Sequence, residues 1–229
     1  MKIGIIVADV DEYKPLADFI EKNEFSRYSF LGRLGHKFSV GKTEVISILC
    51  GIGKVNAAAA AAHFVDMGCD YILNFGLSGG ISGVRRGDIC IPSHFLEHDF
   101  DLTGIGYKPC EKPSQEYIYE VDKGLFMIAK NLLPEAKSGT AVSGDCFVCD
   151  DALRNSLKEE FNATSCDMET AAIAYVCSFS GTPFLALRRI SDDAGNDAEN
   201  SYREMNTSNA TLLSDYIIWI IKAIGGKER

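Results

Sequence analysis

Basic residues are scarce in this 229-residue chain, in which 23 Lys and Arg stand against 32 Asp and Glu and give a formal net charge of −9 at pH 7. Such an excess of negative charge disfavours polyanions, so we expect neither nucleic acid nor an anionic membrane surface as a partner. Long apolar runs are also missing. The last predicted helix, about Thr207 to Ile224, is interrupted by Asp215 and Lys222 and is too short to span a bilayer.

The eight cysteines lack the spacing of a disulfide framework or of a metal site. Cys146-x-x-Cys149 is half of a zinc pattern without a second pair, and the metal-like spacing of His94, His98 and Asp99 is not completed downstream. The first residues lead directly into a short apolar run that is broken at Asp9, unlike a signal peptide. We therefore expect buried free thiols, a cytoplasmic protein, no metal and no cofactor.

Strand-like and helix-like stretches alternate along the chain, and 46% hydrophobic with 24% charged residues is ordinary for a globular protein. Apolar runs typical of buried strands occur at 2–8, 71–75 and 184–187, with helical patterns at 11–22 and 170–179. The pattern predicts an α/β fold in one three-layer domain, residues 1–229, whose mostly parallel or mixed twisted sheet is flanked by helices.

Polar residues collect where these strands end, which is where ligands bind in open α/β sheets. Glu12, Glu169 and Asp192 each follow a strand, as do Phe147-Val148 and the glycine-rich run 76–80, which we predict to be a loop. Glu12 has an alternative interpretation, because an acid in the first turn of a helix also complements the helix dipole. Three converging acids would stabilise a developing cation, as in cleavage of a glycosidic bond through an oxocarbenium-like state.

The run Gly51-Ile52-Gly53 has a weak similarity to a dinucleotide-binding fingerprint. Asn56 stands in place of the third glycine, and Asp70 lies at the start rather than the end of the next strand. We therefore interpret this segment as a tight strand-to-helix turn that lets a small-residue helix pack closely on the sheet.

Several segments together resemble the 5′-methylthioadenosine/S-adenosylhomocysteine nucleosidases of the purine nucleoside phosphorylase superfamily. The segments cover nearly the whole chain and are Lys2–Ile6 with Glu12, Gly51–Val55, Gly87–Ile89 with His98-Asp99, Ser143–Phe147, Asp167–Ala174 and Arg188–Asp192. The resemblance implies a nucleoside-phosphorylase-like fold and hydrolysis of the N-glycosidic bond of 5′-methylthioadenosine, S-adenosylhomocysteine or both, in methionine salvage. Adenine and a 5-substituted ribose would be the products.

The resemblance also implies catalytic roles for the three acids. Asp192 would protonate the purine N7 as general acid, and burial would supply the raised pKa that this role requires. Glu169 would hold the ribose hydroxyls and face the developing cation. Glu12 would take a proton from the attacking water.

The implied substrate pocket has two sources. Within one chain, Phe147 would stack on adenine, the Val148 backbone would read the base edge, Met168 would lie against the ribose, and Tyr202 would close the pocket. The further substrate-binding candidates are Ile52, Leu77, Ser78 and Arg188. Because members of the family are dimers that lend a loop to the partner's 5′ pocket, we expect a homodimer in which Leu102, Ile105 and Tyr107 make that contribution.

Two positions depart from the usual pattern, and two other functions stay open. Leu77 replaces the hydroxyl residue that family members place beside the catalytic aspartate, and Asp9 stands where methionine is common.

A phosphorolytic purine nucleoside phosphorylase and a catalytically impaired nucleoside-binding homologue are the alternatives. Asn74 lies where similar hexameric phosphorylases carry an arginine, and Glu12 would repel phosphate, so hydrolysis is favoured.

Overall fold

The computed structural model describes residues 1–206 and 210–226. The β-strands are β1 Lys2–Val7, β2 Phe25–Phe30, β3 Arg33–Val40, β4 Thr43–Leu49, β5 Tyr71–Gly80, β6 Ile89–Cys90, β7 His94–Glu97, β8 Tyr119–Glu120, β9 Thr140–Ser143, β10 Ala163–Asp167 and β11 Phe184–Asp192. The α-helices are α1 Val10–Glu21, α2 Lys54–Asp66, α3 Lys123–Leu132, α4 Asp151–Phe161, α5 Thr170–Ser180, α6 Ala198–Asn206 and α7 Ala210–Gly225. A short 3₁₀ turn spans Thr103–Ile105.

The strands form one mixed sheet in the order β2-β3-β4-β1-β5-β10-β9-β7-β8, with β11 pairing with β5 and with the short β6. β1 runs parallel to β4 and β5, and β11 runs parallel to β5. β10 pairs antiparallel with the last two residues of β5 through Ser165 and Cys166. The predicted α/β fold with a mixed central sheet flanked by helices is confirmed. The sheet branches at β5, which pairs with β1, β10 and β11.

The glycine-rich run 76–80 is not the predicted loop, because β5 continues through it to Gly80. Its backbone pairs with β11 from Gly76 to Gly79 and with β10 at Gly79 and Gly80, so the segment has strand partners on both sides. A Cβ on Gly79 would lie 2.9 Å from Cys166 Sγ and 3.1 Å from Asp192 Oδ1. The glycines therefore make room for side chains of neighbouring strands rather than forming a turn.

Helices pack on the sheet through apolar or small residues. Asp9 caps α1 by accepting from the Asp11 N–H, and α1 buries Leu16 and Ile20. The alanine-rich α2 buries Ala57 and Ala61 and contacts β1, as predicted for a small-residue helix on the sheet, and it also packs against α5. α1 and α3 pack against α7. The main hydrophobic core contains residues of β1, β4, β5 and β11 together with these helices.

Some predicted boundaries were wrong. β11 extends beyond the predicted 184–187 to Asp192, because Arg188 and Asp192 pair with β5 despite being polar. Helices α4 and α6 and strand β2 had not been predicted, since each has many polar residues. The last helix is present as α7, and residues 207–209 of its predicted range lie outside the described residues. In the described ranges, no helix is long and apolar enough to cross a membrane.

All eight cysteines are free thiols, but only six of them are buried. Cys146 and Cys149 are exposed, which corrects the prediction that the cysteines are buried. Both lie in the irregular segment between β9 and α4, where the backbone has no strand partner and the side chains are not covered.

Candidate active site

A cavity of about 420 Å³ lies at the ends of β5, β10 and β11 and beside the start of α1. It brings together all three predicted catalytic acids and seven of the predicted substrate-binding residues. Its lining, within the described residues, is Ala8, Asp9, Glu12, Ile52, Leu77, Ser78, Gly79, Asp145, Cys146, Phe147, Val148, Cys166, Asp167, Met168, Glu169, Ser191, Asp192 and Tyr202. The lining contains six aspartate or glutamate residues, of which three are the predicted catalytic acids, and no Lys, Arg or His.

Glu12 is buried although it sits in the first turn of α1. Its Oε1 accepts a hydrogen bond of 2.7 Å from the Leu77 backbone N–H, so residue 77 holds Glu12 through its main chain. Burial raises the pKa of Glu12 from 4.5 to about 8, while the Leu77 N–H and the charge of Arg188 oppose the rise. An acid that only complements the helix dipole would face solvent, so the alternative interpretation of Glu12 is wrong.

Gly76 creates the space in which Glu12 meets Arg188. A Cβ at this position would lie 2.7 Å from Glu12 Oε2 and 2.6 Å from Arg188 Nη1, so both charged ends approach the same point above the strand. Any side chain here would have to displace both groups. The glycine is therefore required by close approach.

Glu169 lies at the junction of β10 and α5, and it is also buried. Its Oε1 accepts a 2.8 Å hydrogen bond from the Gly53 N–H, which ties the turn before α2 to the cavity. Burial and the neighbouring charge of Asp167 raise the pKa of Glu169 to about 7, against the lowering influence of Arg188. The strand-to-helix turn predicted at Gly51–Gly53 thus positions a cavity carboxylate.

Asp192 ends β11 and is 2% exposed. Its Oδ1 accepts from the Ala194 N–H at 2.8 Å, and its Oδ2 lies 2.6 Å from Ser191 Oγ. Ala194 adopts a left-handed conformation with φ of 54°, which is uncommon for a residue with a Cβ and directs its N–H at the acid. Burial raises the pKa of Asp192, and these two hydrogen bonds oppose the rise.

Arg188 does not line the cavity, so its predicted place among the substrate contacts is not what the geometry shows. It is 2% exposed, and its Nε donates to Asp167 Oδ2 at 3.0 Å. Its Nη2 donates to Thr170 Oγ1 at 2.7 Å and to Asn74 Oδ1 at 2.5 Å. Arg188 is therefore held by a neighbouring acid, because its ion pair with Asp167 is buried.

Asp167 is the acid that sequence reasoning placed at a strand end without giving it a role. Ser143 Oγ donates to Asp167 Oδ1 at 2.6 Å, and the hydroxyl of Thr170 donates to Oδ2. These donors and Arg188 hold the pKa of Asp167 below its usual range despite complete burial. The order Asp-x-Glu-Thr after a strand was the available signal, because a threonine at the start of a helix commonly bonds an acid nearby.

The predicted base-binding segment lies at the cavity rim. Phe147 and Tyr202 meet edge to face with ring centroids 5.5 Å apart, so α6 and this segment together close one side. Asp145 anchors the segment by accepting from the Lys54 backbone N–H at 2.8 Å and by donating its own N–H to Asp99 at 2.9 Å. Lys54 Nζ completes the anchor with a 2.5 Å ion pair to Asp99.

Three predicted residues lie elsewhere. Leu102, Ile105 and Tyr107 are on the segment around the 3₁₀ turn and do not line the cavity of their own chain. Ile105 and Tyr107 are exposed, with 73% and 37% of their surfaces accessible. Their role in a partner's pocket stays a prediction.

The arrangement supplies several carboxyl groups whose pKa values are shifted towards neutrality. Groups that titrate near the working pH are suited to donate and accept protons in a reaction. Apolar and aromatic residues, among them Phe147, Val148 and Met168, form part of the lining and limit the water that can screen the acids. Within residues 1–206 and 210–226, no cluster of three His, Cys, Asp or Glu side chains could hold a metal ion.

Comparison with known proteins shows the family to which the chain belongs. The family model described as "Phosphorylase superfamily" matches residues 2–222. A 5′-methylthioadenosine/S-adenosylhomocysteine nucleosidase of Geobacillus sp. (strain WCH70) is 32% identical over 98% of this chain and 99% of its own. An aminodeoxyfutalosine nucleosidase of Campylobacter jejuni is 27% identical over 95% and 97%. A Helicobacter pylori MTAN mutant crystallised with 5′-methylthioadenosine in its active site superposes with a TM-score of 0.92 at 26% identity, covering 96% of this chain and 98% of its own.

The chain is thus a member of the phosphorylase superfamily, whose model spans nearly its whole length. Within it, this chain belongs to the family of 5′-methylthioadenosine/S-adenosylhomocysteine nucleosidases. The resemblance drawn from the sequence motifs is confirmed, and the chain is an enzyme of the nucleosidase kind.

Proposed function

We propose that this protein hydrolyses the N-glycosidic bond of 5′-substituted adenosines, with 5′-methylthioadenosine and S-adenosylhomocysteine as substrates, and releases adenine and a 5-substituted ribose. The observation that carries the proposal is the convergence of Glu12, Glu169 and Asp192 on one cavity without a basic side chain in its described lining. Carboxylates at that position stabilise the positive charge that develops on the ribose as the bond to the base breaks.

In this mechanism Asp192 protonates N7 of the base, so that the electrons of the C1′–N9 bond leave with a neutral adenine. Its raised pKa supports that role, because a carboxyl group must keep its proton near neutral pH to act as an acid. Phe147 offers an aromatic face at the rim for the base, and the Val148 backbone lies beside it for the base edge.

Glu169 and Glu12 act on the other side of the breaking bond. Glu169, held by the Gly53 N–H, binds the ribose hydroxyls with Met168 against the sugar. Glu12 accepts a proton from the attacking water, and its pKa of about 8 makes it an effective base only when it is ionised. The acid-side limb of the kcat/KM profile is therefore expected to follow the ionisation of Glu12.

Leu77 is compatible with this function. The residue supports Glu12 through its backbone N–H, which any amino acid except proline provides, and its side chain adds an apolar wall to the cavity. A hydroxyl beside Asp192 is supplied by Ser191, which precedes it on β11.

An adenine-release assay tests the proposal. Purified protein is incubated with 5′-methylthioadenosine, S-adenosylhomocysteine, 5′-deoxyadenosine, adenosine and inosine, and the released base is measured by chromatography. Aminodeoxyfutalosine joins the panel because a relative 27% identical to this chain is an aminodeoxyfutalosine nucleosidase. We expect the highest kcat/KM with the two thio-substituted adenosines. A clear preference for aminodeoxyfutalosine or for inosine would overturn the substrate assignment.

A further inference from the structure

The side chain of Ser191 lies between two acceptors that it cannot serve at the same time. Its Oγ is 2.6 Å from Asp192 Oδ2 and 3.2 Å from the carbonyl oxygen of Ser78 on the adjacent strand. Ser191 is 1% exposed, so the hydroxyl is shielded from bulk solvent. A serine hydroxyl has a single proton to donate and two lone pairs with which to accept.

The two partners of Ser191 differ in what they can do. A carbonyl oxygen only accepts, whereas Asp192 Oδ2 accepts when it is ionised and donates when it is protonated. When Asp192 is ionised, Ser191 donates to Oδ2. When Asp192 is protonated, Oδ2–H donates to Ser191 Oγ, and the Ser191 proton turns to the Ser78 carbonyl.

The other oxygen of Asp192 fixes where its proton resides. Oδ1 accepts from the Ala194 N–H at 2.8 Å, and a backbone N–H can only donate. The acidic proton is therefore favoured on Oδ2, the oxygen that faces Ser191. Since Asp192 gives up a proton during the reaction, Ser191 has a suitable partner both before and after that step.

We propose that Ser191 is a positioning residue that turns its hydroxyl from the Ser78 carbonyl to the Asp192 carboxylate when Asp192 gives up its proton. The inference rests on the proposed role of Asp192 as general acid. The proton that moves to N7 comes from Asp192 Oδ2, and the proton of Ser191 stays on its own oxygen. The reoriented hydroxyl stabilises the carboxylate formed in that step, because hydrogen bonds to charged groups are stronger than those between neutral ones.

Ser78 does not substitute for this function. Its own Oγ is buried and has no hydrogen-bond partner within the described residues. Leu77 has no hydroxyl, and the hydroxyl that bonds Asp192 in the described residues is that of Ser191. The remaining ionisable groups that act on Asp192 are Asp193, Arg86 and the thiol of Cys166, and they carry no hydroxyl.

The test compares Ser191→Ala with Ser191→Thr, which restores a hydroxyl, and with Ser165→Ala as a matched control. Ser165 is another fully buried strand serine, and its Oγ has no hydrogen-bond partner in the described part of the chain. We expect Ser191→Ala to lower kcat roughly 10- to 100-fold with a smaller change in KM, because a hydrogen bond to a charged group is lost. Ser191→Thr should recover most of kcat, and Ser165→Ala should match wild type.

A readout that needs no turnover accompanies the kinetics. In protein labelled with ¹³C at the aspartate carboxyl carbons, the resonance absent from Asp192→Asn identifies Asp192, and its pH titration is followed by NMR. We expect the Asp192 titration to move to higher pH in Ser191→Ala and to return in Ser191→Thr. An unchanged titration, or a loss of kcat equal to that of Ser165→Ala, would overturn the inference. Failure of wild type to release adenine would instead contradict the proposed function, and the titration would still decide the role of Ser191.

Discussion

Asp167 and Glu169 are two residues apart and both buried, yet their pKa values shift in opposite directions. Asp167 belongs to an ion-pair cluster, defined here as Asp167 with Arg188, Thr170, Ser143 and Asn74, in which donors surround the carboxylate. Glu169 faces the cavity with one backbone N–H bonded to Oε1, and burial raises its pKa to about 7. The same depth of burial therefore gives a structural anion in one place and a titratable group in the other.

The opposite pKa shifts of Asp167 and Glu169 reflect an uneven distribution of hydrogen-bond donors around the site. Arg188 satisfies Asp167, Thr170 and Asn74 through Nε and Nη2, while its Nη1 lies near Glu12 without outweighing the burial of that acid. Glu12, Glu169 and Asp192, which we name the cavity acids, keep pKa values above their ordinary range. Perturbed titratable groups in a cleft are a physical indication of a functional site.

If the cavity acids and Asp167 have different roles, neutralising a cavity acid should have the largest effect on activity. We expect Asp192→Asn to lower kcat about 10²–10⁴-fold while nucleoside still binds, because the variant keeps the shape but has no acidic proton to give. Steady-state kinetics and ligand titration measure the two effects. Asp193→Asn is the matched control, since that neighbouring side chain is 70% exposed. Near-normal turnover in Asp192→Asn would mean that another group protonates the base.

Neutralising the structural anion should instead damage the fold. We expect Asp167→Asn to lower the free energy of unfolding by about 3–5 kcal/mol, because Arg188 would be left as an uncompensated buried charge. Urea unfolding followed by circular dichroism measures the change. The exposed pair Arg203–Glu199 supplies the control, and Glu199→Gln should cost at most about 1 kcal/mol. An equal loss of unfolding free energy in both variants would contradict a stabilising role for the ion-pair cluster.

Glu12→Gln is expected to abolish most turnover and yet to stabilise the protein. The folded pKa of Glu12 is about 8 and its ordinary value is 4.5, so the unfolded chain releases the proton first as pH rises. Burial of Glu12 therefore lowers stability progressively between pH 4.5 and 8. Thermal unfolding should give a higher Tm for Glu12→Gln than for wild type at pH 8 and similar values at pH 4. A lower Tm at pH 8 would show that ionised Glu12 is stabilised by Arg188.

The smallest expected effect on activity concerns a second chain that would cover one end of the cavity. We expect a homodimer in which Ile105, 73% exposed in one chain, covers the 5′ end of the partner's cavity. Ile105→Ser should raise KM for 5′-methylthioadenosine roughly 10-fold through lost apolar contact, with kcat less affected. Leu31→Ser, at a 75% exposed site on the opposite hairpin turn, is the control. A protein that is monomeric by light scattering and fully active at the same concentration would show that no partner chain contributes to the site.

Much of the fold and of the cavity could be predicted from the sequence. Apolar runs revealed β1 and the core of β11, and the rule that ligands bind at strand ends brought Glu12, Glu169 and Asp192 together. The run 76–80 misled because glycines in a strand have the composition of a turn, and only the neighbouring side chains, such as Cys166, explain them. The hydrogen-bond partners of Arg188 could not be predicted, because its Nε and Nη2 donate to residues that are distant in sequence.

Ser191 and Asp145 were missed for a related reason. Each acts through a hydrogen bond to a backbone or side-chain group on another element, and the composition of its own segment carries no sign of that partner. Helix α6 was missed because its polar composition is typical of a loop, although it supplies Tyr202 to the cavity. Positions that depend on tertiary partners are therefore the ones that a single sequence leaves open.

The central claim is that Glu12 activates water while Arg188 is committed to Asp167, so that no basic side chain in the described cavity lining can hold a phosphate dianion. The most direct measurement is product analysis after adenine release from 5′-methylthioadenosine with and without inorganic phosphate. We predict equal rates in both conditions and free 5-methylthioribose as the sugar product. Strict dependence on phosphate with a ribose 1-phosphate product would contradict the claim and make this protein a phosphorylase.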